Sequence, residues 1–401
     1  MNKLLILGAG VYQVPLIKKA HEMGLYTIVV SIPGNYPGFE YADKVYYENI
    51  TDTQAVLKIA SEEQIDGIVT CGSDVAIVTL ATVCERLGLK GVSVDSAEKS
   101  CNKVLMKKAL KDADVKCADY RVALISDSFD DILKKCIEIG YPVVIKAVDS
   151  SGSRGITIVR EESELEHAIS QVKNVTRKEE FLIEECLSGT EFGADAFVYN
   201  GETQFVVPHG KFVYMAATGI PVGHYVPYDD ERVSELTIGE VEKAIEAMGY
   251  DNCAVNVDIM LQNGEPYVIE IGARAGATCI PELISIYNGY DYYQKLIEAS
   301  LGMDTDMIRK ADASKAGVAR LLFSEKTGMI DSIRDDITIS DMSEGCGVYA
   351  YDIDVKPQDK VKAMKIGPDR FGHLVVFADD LDTAMKKLTE ELDKIEIVLK
   401  E

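Results

Sequence analysis

The chain has 401 residues, a length that predicts two or three domains because a single hydrophobic core rarely extends so far. A hydrophobic content of 47% is typical of a folded soluble protein. The net charge of −24 argues against broad binding to nucleic acid or to anionic membranes, both of which require a basic surface. Small anionic ligands are not excluded, since they need only a few local amides and cations.

The cysteines and the N-terminus indicate a cytoplasmic protein. Nine cysteines are scattered along the chain without a Cys-x-x-Cys pair, a pattern typical of a reducing compartment and not of a zinc site or a disulfide framework. Residues 1–10 lead directly into an apolar strand and a glycine turn, which is not the pattern of a signal peptide. No apolar run approaches the roughly 20 residues that span a bilayer. We therefore expect neither membrane nor nucleic-acid partners.

Residues 1–112 alternate apolar strands with amphipathic helices, which predicts a Rossmann-like α/β domain with a parallel sheet. The turn "GAGVYQ" at 8–13 lacks the third glycine of the dinucleotide fingerprint, and the second strand ends without an acidic residue. NAD binding is therefore not indicated. The predicted strands are 3–7, 26–32, 65–72 and 90–94, and the predicted helices are 14–24, 51–64, 75–88 and 95–115.

Residues 113–305 predict an α+β domain with antiparallel hairpins, and residues 306–401 predict a small third domain. Two hairpins turn at Asn-Gly pairs, at 200–201 and 263–264, which are strong short-range hairpin signals. Ser128 and Ser163 are the expected N-caps of helices that end near 140 and 174. The remaining predicted elements are strands at 120–125, 141–147, 155–160, 179–187, 316–324 and 372–378 and a final helix at 381–395.

The segment "VVIKAVDSSGSRGITIV" at 143–159 reads as a strand, a glycine- and serine-rich loop and a second strand. Small residues let the backbone approach a ligand, and the hydroxyl groups, Arg154 and Lys146 suit phosphate. In P-loop proteins the lysine follows the glycines and opens a helix, whereas here Lys146 precedes them and a strand follows. The loop is therefore either a flexible flap over a nucleotide or an ordinary hairpin connection.

Asp258 and Glu270 lie on the two strands of the hairpin that turns at 263–264, where residues of both strands can face one side. Two such carboxylates repel each other unless a cation lies between them, and Mg²⁺ held by carboxylates and phosphate oxygens is usual at ATP sites. The alternative is a structural salt bridge from Asp258 to Arg274 or Arg154. Beside Lys146 and its loop, the pair favours a nucleotide and metal site.

Taken together, these motifs resemble the ATP-grasp superfamily over nearly the whole chain. The resemblance implies a three-domain α/β architecture, with a pre-ATP-grasp domain at 1–112, an ATP-grasp domain at 113–305 and a C-terminal ligase domain at 306–401. It also implies ATP and Mg²⁺, or Mn²⁺, as cofactors. The matching segments are 141–159, similar to the flap of biotin carboxylases and carbamoyl-phosphate synthetases, 101–110, similar to their other ATP-contacting lysine segment, 181–192, similar to the adenine and ribose segment of D-alanine–D-alanine ligases, and 257–274, similar to the metal segment.

The same resemblance assigns roles to individual residues. Asp258 and Glu270 are implied as Mg²⁺ ligands, and Arg274 as an arginine near the reacting oxygens. The family usually has asparagine two residues after the second metal carboxylate, where this chain has Gly272, so no third protein ligand is expected. The implied ATP contacts are Lys103, Lys146 and Lys211 for phosphates, Ser151, Gly152, Ser153 and Gly155 in the flap, Glu184 for the adenine amino group, Glu185 and Leu187 in the hinge and Glu191 for the ribose.

The stretch "GIPVGHYVPY" at 219–228 and the tail segments at 318–333 and 369–388 look most like L-amino-acid ligases. This resemblance implies that a carboxylate and an amine are joined through an acyl phosphate. Lys146 and Arg274 are the expected catalytic cations. Substrate contacts are expected at His224 and Asp74, although Asp74 also suits the cap of the following helix and His209 suits a structural role. Small-molecule carboxylate and amine substrates are the expected partners, with a homodimer as the default assembly. Two alternatives stay open: carboxylation with bicarbonate through carboxyphosphate, and a nucleotide-binding regulator without turnover.

Overall fold

The computed structural model describes residues 1–149, 155–216, 219–310, 313 and 315–400, and every structural statement below concerns these residues. Residues 1–112 form a parallel four-stranded sheet with flanking helices, as predicted. Its elements are β1 (Lys3–Leu7), α1 (Val14–Glu22), β2 (Tyr26–Ser31), β3 (Lys44–Tyr47), α2 (Thr53–Glu63), β4 (Gly67–Val69), α3 (Ile77–Leu87), α4 (Val94–Cys101) and α5 (Lys103–Asp112). The strand order is β3-β2-β1-β4, and β1 is buried on both faces, as expected for a central parallel strand.

Two predicted elements of this region are wrong. The segment 90–94 is not a strand, and the single helix expected over 95–115 is two helices that meet at Asn102. Ser93 caps α4 by accepting a hydrogen bond from the Ser96 amide, and Asn102 caps α5 in extended conformation by accepting from the amide of Val104. The break places Lys103 at the first position of α5, where its side chain reaches Glu270.

The middle of the chain contains a small antiparallel sheet and most of a large one. Its elements are β5 (Tyr120–Leu124), α6 (Phe129–Ile139), β6 (Val143–Ala147), β7 (Ile156–Val159), α7 (Leu165–Val175), β8 (Glu180–Glu185), β9 (Thr190–Tyr199), β10 (Glu202–Met215), β11 (Gly219–Val226), α8 (Glu231–Met248), β12 (Cys253–Gln262), β13 (Glu265–Gly272), α9 (Ile280–Asn288) and α10 (Tyr292–Ser300). The small sheet has the order β5-β8-β6-β7. Ser128 caps α6 as predicted, whereas the prediction for Ser163 is wrong because its hydroxyl donates to the Glu161 carboxylate instead.

Both predicted Asn-Gly hairpins are confirmed. Asn200 and Asn263 adopt φ values of 53° and 55° in the turns β9–β10 and β12–β13. The left-handed conformation at both turn residues is the requirement that selects Asn-Gly at such positions.

The C-terminal residues extend the large sheet. Their elements are β14 (Ala316–Leu322), β15 (Gly328–Arg334), β16 (Cys346–Ile353), β17 (Lys360–Val361), β18 (Gly372–Ala378), α11 (Leu381–Leu392) and β19 (Glu396–Leu399). The large sheet has eight strands in the order β13-β12-β9-β10-β11-β14-β18-β16, and β17, β15 and β19 form a small separate sheet. The boundary predicted near residue 305 falls between α10 and β14, inside a polypeptide whose sheet is continuous.

The two faces of β9 explain how the large sheet can carry a polar site. Ala194, Ala196 and Val198 belong to the apolar cluster that includes buried residues of α8, and the alternate residues, including Asp195, point to the other face. The cavity of the site described below is lined by residues of β12 and β13, of α4 and of the loop after β4. Within the described ranges, no helix combines the length and the apolar character needed to cross a bilayer.

Candidate active site

A row of polar residues crosses adjacent strands of the large sheet. In the strand register Asp258 lies opposite Glu270 on one side and opposite Gly193 on the other, and Gly193 lies opposite His209. Lys211 follows two residues after His209 and therefore faces the same side. A Cβ atom on residue 193 would lie 2.6 Å from His209 Cε1, so only glycine fits beneath this imidazole.

Each of the two predicted metal ligands is paired with a lysine. Lys103 Nζ lies 2.6 Å from Glu270 Oε1, and Lys211 Nζ lies 2.7 Å from Asp258 Oδ1 and 2.6 Å from Glu191 Oε1. Asp258 and Glu270 are half-buried, whereas the side chain of Lys211 is only 3% exposed. Burial opposes the charge of Lys211, but Asp258 and then Glu191 outweigh burial and raise its pKa. The suggested salt bridge from Asp258 to Arg274 is therefore not formed, and Arg154 lies outside the described residues.

A second group of charges lies between α5 and the small sheet. Glu184 Oε2 on β8 accepts from Lys146 Nζ on β6 at 2.8 Å and lies 3.4 Å from Lys107 Nζ on α5. The side chains of Glu184 and Lys107 are 2% exposed. Burial acts to raise the pKa of Glu184, but Lys146 and Lys107 hold it below its ordinary value. Two lysines thus share one buried carboxylate, whose Oε1 has no hydrogen-bond partner among the described residues.

Arg274 is held on two sides. Its Nε and Nη2 donate to Asp74 Oδ1 and Oδ2 at 2.7 and 3.3 Å, and Nη1 donates to Asn256 Oδ1 at 2.8 Å. Asn256 Nδ2 donates in turn to Asp195 Oδ2 at 2.8 Å, and Asp195 is fully buried. Asp74 does not cap α3, whose N-terminus has no side-chain cap. Burial opposes the charge of Arg274, but Asp74, with smaller contributions from Asp195 and Asp258, outweighs burial and raises the pKa of Arg274.

Asp74 also fills the space beside Gly272, the position where the family usually has asparagine. A Cβ atom at residue 272 would lie 3.2 Å from Asp74 Oδ1. The loop after β4 of the N-terminal domain thus brings a carboxylate to a place that a side chain on β13 would otherwise occupy. Its predicted contact with substrate stays a prediction, and its partner in this structure is Arg274.

The two histidines are buried behind this site. His209 Nε2 lies 3.3 Å from Asp195 Oδ2, and its ring meets that of His224 edge to face at 5.0 Å. His224 is 3% exposed, so the structure does not bring it to the surface of the cleft. Burial, and then the charges of His209 and Lys211, lower the pKa of His224 well below its ordinary value and keep it neutral. The hydrogen-bonded role expected for His209 agrees with this arrangement.

The arrangement suits a magnesium ion that is bound together with phosphate. A cavity of about 90 Å³ lies at the centre of the site. Among the described residues, no cluster of three or more His, Cys, Asp or Glu side chains could hold a metal by itself. Asp258 and Glu270 supply two oxygen donors, and Mg²⁺ usually completes its shell with phosphate and water. The cavity is lined by Asp74, Ser100, Asn256, Asp258, Glu270, Gly272 and Arg274.

The remaining predicted nucleotide residues are placed only in part. Ser151, Gly152 and Ser153 lie outside the described residues. Gly155 has a φ of 67° and its carbonyl accepts from the Ala147 amide at 3.0 Å, which closes the pairing of β6 with β7. Glu185 ends β8, and the Leu187 amide donates to its carbonyl at 3.1 Å. The assigned roles of these residues stay predictions.

The part of the chain that carries most of the site is similar to a known protein family. A family model described as ATP-grasp domain matches residues 100–278. A crystal structure of phosphoribosylglycinamide synthetase from Anaerococcus prevotii is 34% identical, superimposes with a TM-score of 0.85 and is matched over 100% of both chains. The chain belongs to the ATP-grasp superfamily. The predicted resemblance and the α/β fold class are therefore confirmed.

Other relatives of this ATP-grasp protein are more distant or are matched over part of their length. Alanine–anticapsin ligase from Bacillus subtilis (strain 168) is 28% identical over 302 residues, which are 67% of this chain and 62% of the ligase. The chain thus spans less than two thirds of that relative. The structure of an L-amino acid ligase from Bacillus licheniformis is matched over 100% of this chain and 99% of its own, with a TM-score of 0.79. At 18% identity this match shows a shared fold.

Three residues of the ATP-grasp site were not found from the sequence. Lys107 follows Lys103 by four residues and therefore lies on the same face of α5, a spacing that could have indicated it. Asn256 precedes Asp258 by two residues on β12, which also predicts the same face. Asp195 lies within an apolar strand, and only the pairing of β9 with β12 brings it to Asn256.

Proposed function

We propose that this ATP-grasp protein is a ligase that uses ATP to join a small-molecule carboxylate to an amine, with release of ADP and phosphate. The observation that carries the proposal is the cross-strand pair Asp258–Glu270 in one cleft with Lys103, Lys211 and Arg274. Phosphoryl transfer depends on positioning and charge neutralisation. It therefore requires carboxylates that hold a metal, cations that contact the phosphates and an arginine in a fixed position.

The ion pairs support binding of a nucleotide with its metal. When the nucleotide binds, Lys103 and Lys211 pair with phosphate oxygens in place of their carboxylates. Asp258 and Glu270 then become free to hold Mg²⁺ or Mn²⁺. No buried charge loses its partner in this exchange, which avoids the cost of an unpaired buried ion. When bound, the metal neutralises charge on the transferred phosphate.

The adenine contact has its own support. Glu184 Oε1 is buried and has no hydrogen-bond partner among the described residues, so it is free to accept the adenine amino group. Lys146, which holds the other oxygen of Glu184, lies one residue before the loop and contacts phosphate. Glu191, Glu185 and Leu187 complete the nucleotide site from β9 and from the end of β8.

The chemistry follows from the weakness of a carboxylate as an acyl donor. A carboxylate oxygen attacks the terminal phosphorus of ATP, the bond to ADP breaks, and the acyl phosphate is then attacked by the nitrogen of a neutral amine. The carbon–nitrogen bond forms, phosphate leaves, and the nitrogen loses a proton to solvent. Arg274 stabilises the negative oxygen that develops on the carbonyl carbon, since Asp74 and Asn256 fix its guanidinium in place.

The names of the relatives support amide formation. An alanine–anticapsin ligase and an L-amino acid ligase join amino acids, which favours an amino acid or a small peptide as substrate. Phosphoribosylglycinamide synthesis is a second candidate, favoured by the 34% identity over the full length of that synthetase. Its product is also an amide, so the two candidates differ in substrate and not in reaction type.

Phosphate release over pairs of carboxylates and amines tests the proposal, with mass spectrometry of the product. Release that requires ATP, Mg²⁺, a carboxylate and an amine together is expected, with a product lighter by one water than the sum of the two substrates. Release that depends on bicarbonate instead would favour a carboxylating enzyme. Tight ATP binding without release in any mixture would leave only a regulator.

A further inference from the structure

A second, larger cavity lies outside the nucleotide site, between the N-terminal residues and the C-terminal strands. It has a volume of about 760 Å³, within the range of small-molecule pockets. Helix α1 forms one wall, and β16 forms another. We call this cavity the distal chamber.

The charges of the distal chamber are unbalanced. Its walls carry five carboxylates against three lysine or arginine side chains. The cations have partners already: Lys19 pairs with Glu22, Arg370 pairs with Asp354, and Lys18 lies 4.5 Å from the centre of the Tyr41 ring. His373 also lines the chamber, but burial lowers its pKa to about 4, so it is neutral near pH 7.

The other three carboxylates, those of Glu40, Asp352 and Glu282, have no lysine, arginine or histidine partner within 4.0 Å among the described residues. Tyrosine rings, including Tyr36 and Tyr349, line the same walls. Carboxylates and aromatic rings together are the groups that bind organic cations.

Glu282 is the most informative of the three. It is 7% exposed and lies in the first turn of α9, at the inner end of the chamber. Its Oε1 accepts from the Tyr293 hydroxyl at 3.0 Å, whereas its Oε2 has no hydrogen-bond partner among the described residues. Burial raises the pKa of the Glu282 carboxyl because its charged form lacks a cationic partner, and a cationic ligand at Oε2 would favour that charged form.

A strained loop follows Arg274 and lies beside the chamber. Residues 276–279 follow Arg274 and line a small neighbouring cavity of about 20 Å³, which shares Glu282 and Tyr293 with the walls of the chamber. Thr278 and Cys279 have φ values of 58° and 64°, a left-handed conformation that is unfavourable for a β-branched residue such as threonine. Strain of this kind is kept where the surrounding structure requires it, commonly at binding sites. The loop therefore leads along the chain from Arg274 to a cavity beside the chamber.

We propose that the distal chamber binds the far end of the amine substrate and that this end carries a second positive charge, as in a basic amino acid or a diamine. The Glu282 carboxylate receives the cationic group, and the tyrosine rings enclose its alkyl chain. The assignment to the amine substrate rests on the proposed ligase function, whereas the preference for a cation rests on the chamber alone. A phosphorylated amine does not suit walls with an excess of carboxylates.

Calorimetric titration with three probes tests this inference, in the presence of Mg²⁺ and a non-hydrolysable ATP analogue. The probes are L-lysine, L-norleucine, which lacks the terminal ammonium, and O-phosphoethanolamine. L-lysine is expected to bind at least about tenfold more tightly than the other two, because an ammonium paired with a buried carboxylate contributes at least the free energy of one decade in affinity.

Glu282→Gln keeps the shape of the side chain and removes its charge, so the preference for L-lysine is expected to disappear. Tyr293→Phe provides a second variant in case Glu282→Gln fails to fold, and is expected to reduce the preference because Glu282 loses its orienting hydrogen bond. Glu235→Gln, an exposed position on α8, is the matched control and keeps the full preference.

Equal binding of L-lysine and L-norleucine, tighter binding of O-phosphoethanolamine, no binding of L-lysine, or a preference that survives in Glu282→Gln would each overturn the inference. The phosphate-release screen reports separately on the ligase function. Selective lysine binding that depends on Glu282, without phosphate release for any substrate pair, would support the chamber and refute the ligase.

Discussion

Glu184→Gln perturbs the most deeply buried ion pairs of the nucleotide site. The substitution keeps the volume of the side chain and removes the one negative charge that Lys146 and Lys107 share. Two buried ammonium groups then lack a counter-ion, because neither Lys146 nor Lys107 has another carboxylate within 4.0 Å among the described residues.

The expected loss can be worked from the two distances. Separations of 2.8 and 3.4 Å correspond to attractions of about 6 and about 5 kcal/mol at an effective dielectric constant of 20. Desolvation of the three ions and repulsion between the lysines offset much of this sum. Removing one partner of a buried pair typically lowers the free energy of unfolding by about 3–5 kcal/mol, and we expect that loss here.

Urea unfolding measured by circular dichroism gives the stability of the variant, since the chain contains no tryptophan for fluorescence. Hydrogen exchange of peptides from β6 and β8 then shows whether the loss is local. Glu180→Gln makes the same substitution at the first residue of β8 and is expected to change the free energy of unfolding by less than about 0.5 kcal/mol. Adding Lys107→Met to Glu184→Gln removes one uncompensated charge and should restore part of the loss. Wild-type stability in Glu184→Gln would refute the reasoning, because the shared carboxylate would then contribute nothing.

Three further predictions concern the metal pair, the fixed arginine and the buried histidines. Glu270→Gln is expected to lower ATP-dependent phosphate release at least about 100-fold, since Mg²⁺ loses one of two carboxylates. Asp74→Asn is expected to lower kcat by about 10- to 100-fold with little change in the KM for ATP, because Arg274 loses its charged partner and with it a fixed position. Lowering the pH from 7.5 to 5.5 is expected to reduce the free energy of unfolding by about 1.3 kcal/mol for each of His224 and His373, as measured by urea titration. In the unfolded chain both histidines bind a proton below about pH 6.5. In the folded protein the pKa is about 4 for His373 and well below 6.5 for His224. Their contribution to the free energy of unfolding is therefore complete above about pH 6.5 and is lost as the pH falls.

Each of the three has a matched control. Glu265→Gln changes the outer end of β13, where the side chain pairs with Lys116 at the surface, and should leave phosphate release unchanged. Asp95→Asn breaks an exposed pair with Lys99 and should leave kcat unchanged. His224→Asn should remove its share of the pH dependence.

Three results would contradict these predictions. Unchanged phosphate release in Glu270→Gln would remove this residue from the metal site. A higher KM for ATP at constant kcat in Asp74→Asn would place Asp74 in nucleotide binding instead. An unchanged pH slope in His224→Asn would show that His224 titrates normally.

Local sequence rules predicted the parts of the fold that depend on neighbouring residues. The Asn-Gly pairs fixed both hairpins, and the hairpin at 263–264 placed Asp258 opposite Glu270 because strand residues alternate in direction. The same rules failed at Asn102, where helical periodicity continued but a cap divided the helix. Asparagine is a good N-cap, so Asn102 could have indicated the break. The prediction of one helix rested on the apolar periodicity alone.

The ion pairs of the site could not be predicted because their partners are far apart in the chain. Lys103 and Glu270 are separated by 167 residues, and Asp74 and Arg274 by 200. No local sequence pattern indicates a contact between residues that lie so far apart in the chain. The resemblance to ATP-grasp segments predicted Lys103, Glu270 and Arg274 as site residues. Asp74 was predicted as a substrate contact or a helix cap.

The sequence by itself determined the class of fold, the hairpin that presents two carboxylates and the inventory of cations, because these depend on residue type and short spacing. Tertiary structure alone decided which cation pairs with which carboxylate. It also placed the Asp74 carboxylate beside Gly272 and formed an acidic chamber between α1 and β16. These features arise where separate elements pack together. Packing depends on the shape of the whole chain, which no single segment encodes.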